Sequence, residues 1–237
     1  MKKSIIYGSG GVGATLARNL ISDGQSVHLA GRNGSALTAL SNELSCSITV
    51  GDVCDSEFFK QVASEAGEDV NSVIYAAGTI NLKGLSRLSA DDFIEDYQVN
   101  VIGAALAIQA SISSLKNNKG SVVLFSSVAS KVGLPMHASI GAAKGAISGL
   151  TVSLAAELSP SVRVNAISPS LCETPLGSKV IHNDKIKEAL SATHPLKRLG
   201  TADDIASLCK FLISDNASWI TGQIIGVDGG RGSIASI

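Results

Sequence analysis

The sequence predicts a single α/β domain: a doubly wound, seven-stranded parallel sheet with helices on both faces. Three observations carry that expectation. Short β-branched runs alternate with longer helical patterns along the whole chain, the order that βαβ units produce. The first such run leads at once into Gly8-Ser9-Gly10-Gly11-Val12-Gly13, a glycine loop that opens a helical pattern. The length, 237 residues, suits one domain with a substantial core, and no linker or internal repeat divides it.

Taken in order, strand one is expected at 4–7, followed by a helix at 12–22 with Leu16 and Leu20 on one face. Strand two at 26–30, a helix at 35–43, strand three at 47–50 and a helix at 55–65 come next. Strand four, 72–76, ends at Gly78. A long helix is expected at 90–114, because Phe93, Tyr97, Val101, Ala104, Ile108, Ile112 and Leu115 recur every three or four positions. Strand five at 121–125 precedes a helix at 139–158 with Ile147, Leu150, Leu154 and Leu158 on one stripe. Strand six is expected at 162–167, helices at 184–192 and 202–214, and the last strand at 223–227.

Composition excludes several function classes. The formal net charge is -1 and no Lys/Arg cluster stands out, so neither nucleic acid nor an anionic membrane surface is an expected partner. No apolar run approaches the roughly 20 residues that span a bilayer. The apolar run after Lys2 and Lys3 stops at Gly8, too early for a signal peptide. These features point to a cytoplasmic protein. Cys46, Cys54, Cys172 and Cys209 lack metal-ligand spacing, so no metal is expected and they read as free thiols. Cys172 reads first as a small buried filler, and a functional role is the alternative.

The glycine loop is a dinucleotide cradle in its context. Gly8 allows the tight turn, Gly10 and Gly11 let backbone N–H groups approach a pyrophosphate, and Gly13 lets the helix pack close to the sheet. Ser9 and Val12 complete the loop, and the helix amino terminus adds partial positive charge. At the end of strand two, where an NAD site places Asp or Glu on the ribose 2′-OH, this chain has Gly31-Arg32-Asn33. Arg32 suits a 2′-phosphate, so NADP(H) is the expected cofactor.

Ser126-Ser127, then position 140, then Lys144 four residues on, resembles the active-site layout of the short-chain dehydrogenase/reductase family. The resemblance covers nearly the whole chain and implies a Rossmann-fold domain. The family's loop is Thr-Gly, three variable residues, then Gly-x-Gly; here Tyr7 stands for the threonine and one residue is missing. By resemblance, Asp52 of Asp52-Val53 would meet the adenine amino group. Tyr75-Ala76-Ala77-Gly78 would line the adenosine, although both asparagines of the family's Asn-Asn-Ala-Gly are lost. Pro169, Leu171 and Thr174 would hold the nicotinamide end, and 176–198 would form a substrate lid. The family's long helices pack against a second subunit, which implies a homodimer or homotetramer.

The resemblance also implies the catalytic set. Asn100 would hold a relay water, Ser127 would hydrogen-bond a substrate carbonyl, and Lys144 would bind the nicotinamide ribose. The position between them belongs to a tyrosine in the family and is Ile140 here. Carbonyl reduction needs a proton as well as a hydride, and three readings stay open. Another group substitutes, with His137 the candidate and Ser139 or Lys144 through water behind it. Alternatively, a small activated alkene needs less acid help, or the chain binds NADP(H) without turnover.

Overall fold

Alternation along the first strand sets the layers. β1 (Lys3–Tyr7) sends Ile5 and Tyr7 to one face of the sheet and Ile6 to the other, and all three are fully buried. The computed structural model describes residues 2–234. The other strands are β2 (Ser26–Gly31), β3 (Ser47–Val50), β4 (Val70–Tyr75), β5 (Ser121–Phe125), β6 (Arg163–Pro169) and β7 (Ile224–Val227). They form one wholly parallel sheet in the order β3-β2-β1-β4-β5-β6-β7. The order reverses at β1, which pairs with β2 on one side and β4 on the other, and a crevice opens at such a switch point.

Helices cover both faces. α1 (Gly11–Ser22), α2 (Gly34–Leu44) and a late helix at Ala202–Ile213 place Leu16, Leu20, Leu37, Ile205 and Leu212 on the Ile6 side. α3 (Ser56–Ala66) brings Phe58, Phe59 and Val62 to the opposite side, where Tyr7 and Tyr75 stack with ring centroids 5.7 Å apart. The expected strands and helices are thus present, with ends displaced by one or two residues.

The expected helix at 90–114 is the exception, since it is broken. α4 (Ala90–Tyr97) runs into a π turn (Gln98–Ile102), then α5 (Gly103–Ala110) and α6 (Ile112–Asn117). The π turn has identifiable chemistry. The Asn100 side-chain amide donates to the carbonyl of Asp96 at 2.8 Å, the acceptor its own backbone N–H would take in an α-helix. The Tyr75 hydroxyl donates to the carbonyl of Val99 at 2.6 Å. Gly103 makes room for that hydroxyl, because a Cβ there would lie 2.1 Å from it. Of the apolar series, Val101, Ala104, Ile108 and Leu115 are buried, while Phe93 and Tyr97 face outward.

α7 (Ala138–Leu158) packs along β6 and against α4. It is apolar on nearly every side and, by length and composition, long enough to cross a membrane, which the run-length reading did not anticipate. Exposed Phe93, Ile94, Tyr97, Ile102 and Val152 leave an apolar surface over α4, the π turn and α7. α8 (Asp184–Ala192), capped by Asn183, lies between β6 and α9 (Ala202–Ile213) in the chain.

Candidate active site

The carboxyl ends of the strands converge on one cleft. After β1, Gly8 adopts φ +107°, and Gly13 lies so close to it that a Cβ at 13 would stand 1.9 Å from the Gly8 carbonyl oxygen. Only glycine fits either position. Gly10 caps α1 without a side chain, open space surrounds it, and the first turn carries no acidic residue. The amino terminus of α1 therefore presents backbone N–H groups and partial positive charge to anything seated on the loop. These features fit a dinucleotide pyrophosphate.

At the end of β2, Arg32 is 79 % exposed along its side chain and stands 3.9 Å from Asp52, so its guanidinium is available to a ligand. The Asn33 side chain accepts from the Ala36 N–H and caps α2. Asp52 accepts from the Cys54 N–H at 2.9 Å, and Val53 packs against the core. Beyond β4, Ala77 and Gly78 line the cleft. Tyr75, one of the lost asparagines, supplies a tie from β4 to the π turn through the hydroxyl bond already described.

The cleft opens into a cavity of about 270 Å³ whose wall includes Ser127, His137, Ile140, Lys144, Pro169, Leu171 and Thr174. Ile140 is 5 % exposed and stands one helical turn before Lys144 on α7. The chain has three tyrosines, and none lines this cavity. Tyr7 and Tyr75 are buried in the core and Tyr97 is exposed on α4.

Each polar group at the cavity has a defined state. Ser127 follows β5 and its hydroxyl oxygen accepts from the Ala129 N–H at 3.1 Å, which leaves its own O–H free to donate. The Lys144 ammonium donates to the Phe125 carbonyl at 2.9 Å. Loss of hydration brings its pKa down to about 8, against the opposing attraction of the Asp96 carboxylate. His137, just before α7, donates from Nδ1 to the Pro135 carbonyl at 2.7 Å, so Nε2 is the nitrogen left over. Asn100 has a buried side-chain oxygen without a hydrogen-bond partner, 3.0 Å from where a Gly78 Cβ would lie. Lys144 Nζ is 3.6 Å from the same point, so Gly78 leaves a gap that both groups border.

Asp96 and Thr79, which the sequence reading passed over, organise this region together with Ser126. Asp96 is buried, and its carboxylate accepts from Thr79 at 2.5 Å and from Ser139 at 2.6 Å. The Ser139 hydroxyl is therefore committed to the scaffold. Thr79 in turn accepts from the Asn100 amide at 2.9 Å. Ser126 donates to the Lys144 backbone carbonyl at 2.9 Å, tying β5 to α7. An acid four residues before Asn100 on a helical pattern was the available signal for Asp96; Thr79 gave none.

Downstream of β6, Thr174 lies against the glycine loop, where a Cβ on Gly11 would come within 2.9 Å of it. Its hydroxyl accepts from the Gly177 N–H at 3.1 Å. Burial pushes the Cys172 thiol up to about 11, which suits a filler rather than a nucleophile. Leu176, Val180 and Leu190, from the stretch 176–198, form part of the cavity wall.

A domain with this sheet order, glycine cradle and Ser–Lys pair belongs to a recognisable class, the dinucleotide-dependent oxidoreductases of the Rossmann type. A family model described as enoyl-(acyl carrier protein) reductase matches residues 7–231. A 2-(S)-hydroxypropyl-CoM dehydrogenase of Xanthobacter autotrophicus is 33 % identical over 98 % of this chain and 96 % of its own length. A tropinone reductase homolog of Arabidopsis thaliana is 31 % identical over 94 % of this chain and 89 % of its own. Among solved structures, a short-chain dehydrogenase/reductase of Brucella melitensis superposes with a TM-score of 0.92 at 28 % identity, covering 99 % of this chain and 97 % of that one. The chain belongs to the short-chain dehydrogenase/reductase family. Members of that family use nicotinamide cofactors, act on small molecules and are commonly oligomeric.

Proposed function

We propose that this chain is a cytoplasmic, NADP(H)-dependent oxidoreductase of a small carbonyl, alcohol or activated alkene. In this reading Ile140 stands at the family's tyrosine position and Lys144 supplies the proton. One observation carries it: Ser127 and Lys144 face a single cavity beside the glycine cradle, and none of the chain's three tyrosines reaches that cavity. Gly8, Gly10, Gly11 and the α1 amino terminus would hold the pyrophosphate, Asp52 the adenine, and Lys144 the ribose. Pro169, Leu171 and Thr174 would border the nicotinamide. Arg32, largely exposed and without a carboxylate at the end of β2, supports the 2′-phosphate preference. The cofactor, when bound, supplies or accepts the hydride.

The protein's own groups do the remainder. Ser127 donates its free O–H to the substrate oxygen and polarises it. The Lys144 ammonium, with its pKa lowered to about 8, is a stronger acid than an ordinary lysine and still mostly protonated near neutrality. Asn100 and Thr79 link the gap beside Gly78 to Asp96, whose attraction for the Lys144 ammonium opposes the effect of lost hydration. Residues 176–198 would act as the lid. The apolar surface over α4 and α7 supports a homodimer or homotetramer.

The hydrocarbon at 140 favours a second reading, a non-catalytic NADP(H)-binding protein. Fluorescence titration of NADPH, followed by its oxidation against a panel of carbonyl and enoyl compounds, separates the two. Oxidation that disappears in Ser127→Ala is expected for the enzyme. Binding with no oxidation across the panel would overturn the catalytic reading.

A further inference from the structure

We infer that Arg231 is the anchor for an anionic group on the substrate, and that the cavity selects small carboxylates with a short apolar body. This deepens the reading above and rests on it for the reaction, but the anion site itself is argued from the cavity alone.

Arg231 lies in the turn after β7 and lines the same cavity as Ser127 and Lys144. The turn is built to present it. The Asp228 carboxylate accepts from the Gly230 N–H at 2.9 Å and from the Gly232 N–H at 3.0 Å, the two amides that flank Arg231. The Arg231 N–H closes the turn on the Asp228 carbonyl at 3.2 Å, and Gly229 and Gly230 take φ +61° and +87° to allow it. Asp228 thus spends both carboxylate oxygens on backbone rather than on the guanidinium. The segment sits at the substrate end, since a Cβ on Gly232 would lie 3.4 Å from Val128, the neighbour of Ser127.

The guanidinium has no ion pair or side-chain hydrogen bond among the described residues, although it is half-buried. Arg163, the other half-buried arginine among the described residues, donates to three carbonyls, and exposed Arg18 and Arg198 pair with Glu43 and Asp204. An arginine does not shed its proton, so a half-buried one without a partner leaves charge uncompensated. No Asp or Glu lines the cavity among the described residues. Its ionised groups are Lys144 and Arg231, while Leu82, Leu134, Leu176, Val180 and Leu190 supply apolar wall. A positively charged space with a largely apolar wall, beside the residues that would border the nicotinamide, is complementary to a short acyl chain ending in a carboxylate.

The test titrates butanoate and butanamide calorimetrically into the full chain, alone and with saturating NADPH. Butanoate is expected to bind the native protein at least about 10-fold more tightly than butanamide, and to weaken by about 10–100-fold in Arg231→Gln. Arg231→Lys should recover part of the loss, because it restores the charge without the fork. Where Arg231→Gln alters the unfolding curve, phenylglyoxal labelling of native protein replaces it, and butanoate should protect Arg231 from modification. Equal butanoate binding in native protein and Arg231→Gln, absent binding in native protein, or labelling unaffected by butanoate would each overturn the assignment. NADPH binding, read in the same samples, reports separately on the cofactor reading.

Discussion

Replacing Ile140 with tyrosine is expected to raise turnover. The substitution places a phenol one helical turn before Lys144, on a wall that already faces the reacting space. General acid catalysis is worth roughly 10²–10⁴-fold, about 3–5 kcal/mol of barrier. The steric penalty is smaller than for a closed core. Overpacking typically costs ~1–3 kcal/mol, but this side chain borders a cavity of about 270 Å³ into which the ring extends. A loss of a few degrees in Tm is the expected upper bound, at about 2–4 °C per kcal/mol for a domain of this size. The assay is NADPH oxidation under saturating cofactor, with the active carbonyl found in the panel. The gain should vanish when Ser127→Ala is added, since polarisation of the same oxygen is then missing. A folded Ile140→Tyr protein that binds NADPH yet turns over no faster than the native chain would refute the placement of position 140 at the acid site.

The two stacked tyrosines should respond with opposite signs. The Tyr7 hydroxyl is buried without a hydrogen-bond partner, so Tyr7→Phe should stabilise by about 1 kcal/mol, whereas Tyr75→Phe strands the Val99 carbonyl and should lose about 1–3 kcal/mol; urea unfolding reads both. His28 is fully buried between Ser47 and Thr49, and loss of hydration takes its pKa down to about 4. Its stabilising share is therefore complete above the unfolded value near 6.5 and is lost as pH falls toward 4, by up to about 3 kcal/mol; urea midpoints of the native chain and His28→Gln across that window should converge at the acid end. Arg32→Ala should weaken NADPH by roughly 10–100-fold and NADH by much less, and an equal loss for both would remove the 2′-phosphate assignment.

Much of this was legible in the sequence because it is local. Period-two burial along β1 and the loop from Gly8 to Gly13 each lie within a few residues, and Ser127, Ile140 and Lys144 keep their spacing in a contiguous stretch. The π turn was hidden because apolar residues at steps of three or four absorb an extra residue without breaking the rhythm. The Asp96 network was hidden because it joins residues 79, 96, 100 and 139 across separate elements. Phe93 and Tyr97 share the helical stripe of buried Val101 and Ala104, yet they precede the break and are exposed. Arg231 meets the cavity only through the placement of β7 beside β6.

The pH dependence of kcat with NADPH and the active carbonyl probes the proton source most directly. With Lys144 as the acid, the rate holds through neutrality and falls as pH rises through about 8, where the ammonium gives up its proton. A profile flat through pH 9, or a rate already lost below neutrality, would contradict Lys144 as the proton source.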